Sequence, residues 1–401
     1  LPCLKRVSLA INKRWTAFIK QSLQETYKMK RFSKAVFGAS MSELSVTDIE
    51  NQLKTFIDPL TGQSILTAKA LKNLTLVNGE LKLEVVTGYP AAGIKDQLAA
   101  DISAHLQQLE GVKSVDVTVS WQIKPHAVQK GVKPRNGVKN MIAVASGKGG
   151  VGKSTTAVNL ALALLAEGAR VGILDADIYG PSQPTMLGIT GRPSSPDGRS
   201  IQPMEGHGLQ VMSVGFLVDQ DTPMILRGPM VTQALGQLLN DTNWDDLDYL
   251  IIDMPPGTGD IHLTLAQTVP VTGSVIVTTP QDIALIDAKK GLKMFEKVDI
   301  PVLGLIENMS LHICSNCGHE EAIFGQGGGE AMAKEYGVEF LGALPLDLSI
   351  RTSVDSGIPT VAADPDSQIS TIYRGMARQL AASLSVKAKD FSGKIPNIVI
   401  K

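Results

Sequence analysis

Residues 147–154 read Gly147-Lys148-Gly149-Gly150-Val151-Gly152-Lys153-Ser154 and satisfy G-x-x-x-x-G-K-[ST] in full. Residues of these types at this spacing can hold phosphate. Glycines let successive backbone N–H groups curl around an anion with no Cβ in the way. A helix starting directly behind the loop adds partial positive charge. Lys153 can reach the β- and γ-phosphates, and the Ser154 hydroxyl can ligate Mg²⁺. Thr155 is the next cofactor-binding position. Lys148 inside the loop has two readings. It reaches nucleotide across a dimer interface as a charge clamp on the γ-phosphate, or it is a solvated surface lysine.

Acids that could complete this chemistry follow later apolar runs. Leu174-Asp175-Ala176-Asp177 is one case and Tyr249-Leu250-Ile251-Ile252-Asp253 another. Carboxylates at the C-terminal ends of parallel strands face the ligand crevice. Asp177 is the candidate for orienting an attacking water, Asp175 for supporting Mg²⁺ or its loop, and Asp253 for holding Mg²⁺ through water. Met254 to Asp260 reads as a stiff-then-flexible switch sensitive to the γ-phosphate. Helix capping or loop solvation would explain any one of these acids singly.

A second constellation is Cys314-Ser315-Asn316-Cys317-Gly318-His319. Two thiolates at this spacing grip one edge of a metal site, and Gly318 permits the tight turn. Further ligands must come from His319 or His312, or from the same pair on a second subunit across a two-fold axis. A complete zinc site in one chain, two inert cysteines and a redox pair are the alternatives. Gly325, Gly327, Gly328 and Gly329 predict a mobile loop downstream.

These residues need a scaffold. Short apolar runs at Ile142–Ala145, Val171–Leu174, Leu209–Val214, Tyr249–Ile252, Ser274–Thr278, Val302–Ile306 and Phe340–Leu344 alternate with helical patterns. Runs that are apolar throughout predict an α/β fold over 141–385, a mostly parallel sheet flanked by helices. Residues 42–121 predict a small α+β domain in the order α-β-β-α-β, with Asn78-Gly79 as a hairpin turn and Ser45 or Thr47 as N-cap. Residues 122–140, with Pro125, Pro134 and several lysines, read as a linker, and 386–401 as a loose tail. Residues 1–40 are strongly basic. They read as a non-native extension, a targeting presequence or a membrane-surface helix.

The 401 residues are 43% hydrophobic with a net charge of −1, enough apolar surface for a large core. Near-neutral charge and scarce aromatics argue against nucleic acid or anionic lipid as partner. No apolar run has transmembrane length. Three cysteines form no disulfide framework and point to a reducing compartment, hence the cytoplasm.

The two-lysine loop resembles that of the deviant Walker-A P-loop ATPases, the group of MinD, ParA and nitrogenase iron protein. With Asp175–Ser182, Asp253–Asp260, Glu307-Asn308-Met309 and Cys314–His319 in that order, residues 141–385 are similar to the Mrp/ApbC iron–sulfur cluster carriers. Residues 42–121 resemble the small iron–sulfur-assembly domain often fused ahead of them. The resemblance implies slow, Mg²⁺-dependent ATP hydrolysis by a homodimer, with Lys148, Lys153 and Asp177 catalytic and Asn308 near adenine. It implies a [4Fe–4S] cluster bridged by Cys314 and Cys317 of two chains, and exchange with scaffold proteins and apo-protein clients. A MinD/ParA-like positioning ATPase and a zinc-stabilised ATPase are the alternatives. Small domains of this kind often carry a cysteine near Gly88-Tyr89-Pro90. None is present here, so client docking is the role expected of that domain.

Overall fold

The computed structural model describes residues 44–129, 131–217, 228–314 and 316–387, all within the unit Leu44–Lys401. The basic segment 1–40 and the tail beyond Lys387 lie outside the described residues.

A helix, Val46–Thr55, opens the small domain because Ser45 and Asp48 cap it reciprocally. The Ser45 hydroxyl accepts from Asp48 N–H at 3.3 Å, and the Asp48 carboxylate accepts from Ser45 N–H at 3.1 Å. Ile49 and Leu53 give this helix its buried face. Strands β1 (Leu71–Val77) and β2 (Glu80–Thr87) pair antiparallel around Asn78 and Gly79. Both turn residues have positive φ, 52° and 85°, as the two-residue hairpin requires. A second helix, Lys95–Leu106, returns the chain to β3 (Ser114–Trp121), which lies parallel to β2. The predicted α-β-β-α-β order is what forms.

The large sheet uses β4 (Val138–Ala145), β5 (Val171–Asp175), β6 (Met204–Gly206), β7 (Leu209–Ser213), β8 (Leu247–Asp253), β9 (Gly273–Thr278) and β10 (Val302–Glu307). After the small hairpin β11 (His312–Ile313) and β12 (Glu320–Glu321), it is completed by β13 (Phe340–Ala343). Its order is β13-β10-β9-β4-β8-β5-β7-β6, with every neighbour pair parallel except β6 with β7. Each of the seven predicted strands is present. β8 and β9 are buried along their whole length, which explains why they read as unbroken apolar runs rather than alternation. β4 lies at the centre, so the loop that follows it leaves from the middle of the sheet.

One boundary differs from expectation. β4 begins at Val138 rather than Ile142, so the predicted linker loses its last three residues to the sheet. Three polar side chains of the predicted linker are bonded to main-chain groups elsewhere in the chain. The buried Gln129 amide donates to the carbonyls of Ala266 and Val269, and Arg135 donates to those of Asn240 and Thr242. Asn140 donates to the carbonyls of Lys124 and Asp248. Composition reads as linker here because these polar side chains serve main-chain groups far away in sequence.

The small domain is fastened to the large one through Glu167, which follows the helix Lys153–Ala166. Its carboxylate is fully buried. It accepts from Arg374 at 2.8 Å, Arg378 at 2.7 Å and the Gly93 N–H at 2.9 Å. Ala92 N–H donates to the Glu167 carbonyl, and the Trp121 indole to that of Gly168. Removing the anion leaves two guanidinium groups facing each other. Because both arginines keep some water contact, Glu167→Ala should cost about 2–3 kcal/mol, below the 3–5 typical of a fully buried pair. Chemical denaturation of the full chain measures this, and an unchanged midpoint would contradict the joint.

Candidate functional site

The phosphate loop is held open by contacts behind it. A Cβ on Gly152 would lie 2.2 Å from the Asn308 amide nitrogen, and its φ is 80°, so only glycine fits on both counts. Asn308 Nδ2 donates to the Val151 carbonyl at 2.9 Å. A Cβ on Gly147 would meet the backbone of Asp287 at 2.2 Å, which seats the helix Asp282–Lys297 against the loop. The Ser146 hydroxyl donates to the Lys148 carbonyl at 2.9 Å. Gly149 and Gly150 stay exposed, leaving their backbone open to a ligand.

Lys153 is only 5% exposed and forms an ion pair with Asp253, which is wholly buried. Its ammonium also lies 3.0 Å from the Ser154 hydroxyl. The pair brings together the two strand ends that the apolar runs predicted, since β4 and β8 are neighbours. Asp175 is likewise buried. It accepts from the N–H groups of Asp177 (3.2 Å), Ser182 (3.0 Å) and Gln183 (3.1 Å) and from the Ser213 hydroxyl (3.1 Å). The carboxylate thus gathers the loop that follows β5 around itself. Burial, reinforced by the nearby Asp253, pushes Asp175 up to about 7. Asp177 is half-buried, and burial raises its pKa against the opposing pull of Lys153. Thr155 is half-buried on the first turn of the helix, and Lys148 is half-buried with no ion pair among the described residues.

The switch after β8 is tied to the loop strand. Met254 N–H donates to the Val144 carbonyl, and Gly257 N–H to that of Ser146, both at 3.0 Å. The His262 ring donates to the Pro255 carbonyl at 2.9 Å. Main-chain bonds thus join residues 254–257 to the strand that enters the phosphate loop.

Sequence reasoning missed Gln183. This residue is fully buried, and its amide nitrogen bridges the Ser154 carbonyl at 3.1 Å and the Asp253 carboxylate at 2.8 Å. Nothing in its local sequence marks it, because its role depends on partners 29 and 70 residues away. The donor set suits a Mg²⁺–nucleotide. It combines backbone N–H groups, an ammonium, a hydroxyl and buried carboxylates. Two further buried oxygens, Ser182 Oγ and Gln183 Oε1, have no hydrogen-bond partner among the described residues. Ser154 and Asp253 would hold the ion, which supplies charge neutralisation on the phosphates.

Cys314 and Cys317 sit on the β11–β12 hairpin, a few residues beyond Asn308. Gly318 N–H donates to the Cys314 carbonyl at 2.8 Å, and Cys314 N–H to that of His319 at 2.9 Å. Gly318 has φ 71°, the conformation the turn demands. Both thiols are free, Cys317 exposed and Cys314 partly so. Backbone N–H groups of Cys317 and Asn316 hold the Cys314 thiol below the usual range. His312 is turned away, with its Nδ1 facing the Leu346 carbonyl. Among the described residues no group of three or more His, Cys, Asp or Glu side chains could hold a metal ion. The glycine run downstream is anchored rather than loose. The buried Glu307 carboxylate accepts from Gly327 N–H at 3.2 Å and Gly329 N–H at 2.6 Å.

This fold and site define a P-loop nucleoside triphosphatase. Residues 137–381 match the ParA family model described as NUBPL iron-transfer P-loop NTPase, and residues 47–119 match the iron-sulfur cluster assembly protein model. The iron-sulfur cluster carrier protein of Escherichia coli (strain K12) is 53% identical over 348 residues, 86% of this chain and 94% of the relative. That of Pseudomonas fragi is 62% identical over 274 residues, 68% and 96% of the two chains. A solved nucleotide-binding protein from Archaeoglobus fulgidus, in complex with ADP, is 37% identical. It covers 55% of this chain and 88% of its own, with a TM-score of 0.49. The chain belongs to the family of NUBPL-type iron-transfer P-loop NTPases. Among the described residues no helix is long and apolar enough to cross a membrane.

Lys153→Ala should abolish nucleotide binding in equilibrium titration, because the buried cation is lost and Asp253 is left uncompensated. Asp177→Ala should keep binding and lower turnover at least about a hundredfold, the scale of general base catalysis. Phosphate release assays separate the two, and wild-type rates in both variants would refute the assignments.

Proposed function

We propose that this protein is an ATP-hydrolysing carrier that binds a [4Fe–4S] cluster between two copies of the chain and passes it to apo-protein clients. One observation carries the reading. Asn308 touches the phosphate loop, and the thiol pair begins at Cys314, on the hairpin the same chain enters next. A change in the loop is thus delivered to the thiols over a short stretch of backbone. The E. coli and P. fragi relatives are named iron-sulfur cluster carrier proteins.

Phosphates at the loop would take over Lys153 from Asp253, and the Asp253 carboxylate and Ser154 hydroxyl would hold Mg²⁺, which supplies charge neutralisation on the phosphates. Asp177 orients the attacking water. Lys148, with no ion pair among the described residues, serves the γ-phosphate of a partner copy. Intrinsic turnover is slow, as for switch NTPases awaiting a partner, well below the usual enzyme median of about 10 per second. Two thiolates from each copy supply the ligand count that one chain lacks, and the cluster they hold is cargo rather than cofactor. The small domain has no cysteine, so it is assigned to docking clients or scaffold proteins. The balance of charge and the thiol chemistry fit a reducing cytoplasm.

Anaerobic reconstitution followed by Mössbauer or EPR spectroscopy should find about one [4Fe–4S] cluster per two chains. The double variant Cys314→Ala/Cys317→Ala should hold none. Retention of the same cluster by that variant would end the proposal. About one zinc per chain in anaerobically purified protein would favour the zinc-stabilised alternative instead.

A further inference from the structure

The side chain of Gln183 has unequal ends. Its amide nitrogen is shared by two acceptors, the Ser154 carbonyl at 3.1 Å and the Asp253 carboxylate at 2.8 Å. With acceptors on that side, the amide orientation is fixed, because the flipped form would set oxygen against oxygen. Its main-chain N–H is used as well, donated to Asp175 at 3.1 Å. The remaining atom, Oε1, is buried and receives no hydrogen bond from the described residues. A buried amide oxygen without a donor costs free energy, so its retention beside a phosphate loop calls for a ligand.

The neighbours narrow that ligand. Both Asp253 oxygens are engaged, one by Lys153 and the other by Gln183. Both Asp175 oxygens are engaged too. Gln183 Oε1, on the side chain that bridges Ser154 and Asp253, is thus an acceptor with no donor among the described residues, beside the Asp253 oxygen that phosphate would free by drawing Lys153 away. Mg²⁺ dehydrates reluctantly and keeps several waters when it binds with nucleotide, and those waters are donors only. We propose that Gln183 is a positioning residue for Mg²⁺. Its amide nitrogen holds Asp253 and the Ser154 backbone in place, and its Oε1 accepts a hydrogen bond from the ion's hydration shell. The assignment rests on the Mg²⁺–nucleotide half of the proposed function and is independent of the cluster.

The test is the ratio of ADP affinities with Mg²⁺ and with EDTA, measured by titration calorimetry on the full chain. A role confined to folding moves both affinities together and leaves the ratio alone. Gln183→Leu removes the acceptor and should lower the ratio about tenfold, the scale on which outer-shell partners tune metal affinity. Gln183→Met, close to glutamine in shape but without a strong acceptor, should lower it about as far. An unchanged ratio in Gln183→Leu overturns the assignment, and an unchanged ratio in Gln183→Met does so if the leucine variant does not fold. A wild-type ADP affinity indifferent to Mg²⁺ would overturn the Mg²⁺ half of the proposed function, and no ADP binding at all the nucleotide reading itself, results distinguishable from either.

Discussion

An ammonium group almost wholly withdrawn from water must have an anion beside it, and in this molecule that requirement organises the site. Lys153 and Asp253 are both buried, and each makes the other tolerable. Their pairing ties the end of β8 to the start of the helix behind the phosphate loop. Gln183 then ties the same carboxylate to Ser154, and Asp175 gathers the following loop around its own oxygens. Apolar packing builds the sheet, but polar bonds of fixed geometry set where the sheet's ends stand. A pair held in this way is also unsatisfied in a useful sense. On the proposed reading, phosphate offers Lys153 a second partner, and nucleotide binding rearranges what the ion pair holds.

That rearrangement has two exits. One runs through the switch after β8, whose main chain is bonded to the strand entering the loop. The other runs through Asn308, which faces the loop from the end of β10. The second exit leads toward the cysteines. Glu307, beside Asn308, anchors the glycine-rich segment that follows the hairpin in the chain. On the proposed reading, the two ends of the thiol-bearing stretch are thus both tied to the end of β10, which leaves little slack to absorb a displacement there.

The sequence was most legible where function depends on neighbours in the chain. The phosphate loop could be read residue by residue, because its glycines, lysine and hydroxyl act through local backbone geometry. The buried strands were equally plain, since a strand covered on both faces has to be apolar throughout. Legibility failed where a side chain serves partners far away. Glu167 meets Arg374 and Arg378 more than two hundred residues later, and Gln183 meets Ser154 and Asp253 across the sheet. Residues 122–140 looked like a linker because Gln129, Arg135 and Asn140 carry the composition of one while bonding to distant main-chain groups. The glycines at 325–329 looked loose for a similar reason, since the carboxylate that secures them comes from β10.

The joint at Glu167 bears on how such proteins are assembled from parts. The helix Lys153–Ala166, about 21 Å long, starts at the phosphate loop and ends against the small domain. The acid that receives the small domain belongs to the large one, while Gly93 and Trp121 come from the small one. A chimera that exchanged only residues 44–121 would inherit one half of a lock. Transplanting the front domain between relatives would have to carry the acid and its two arginines along, so the fusion behaves as a grafted part rather than a beads-on-a-string module.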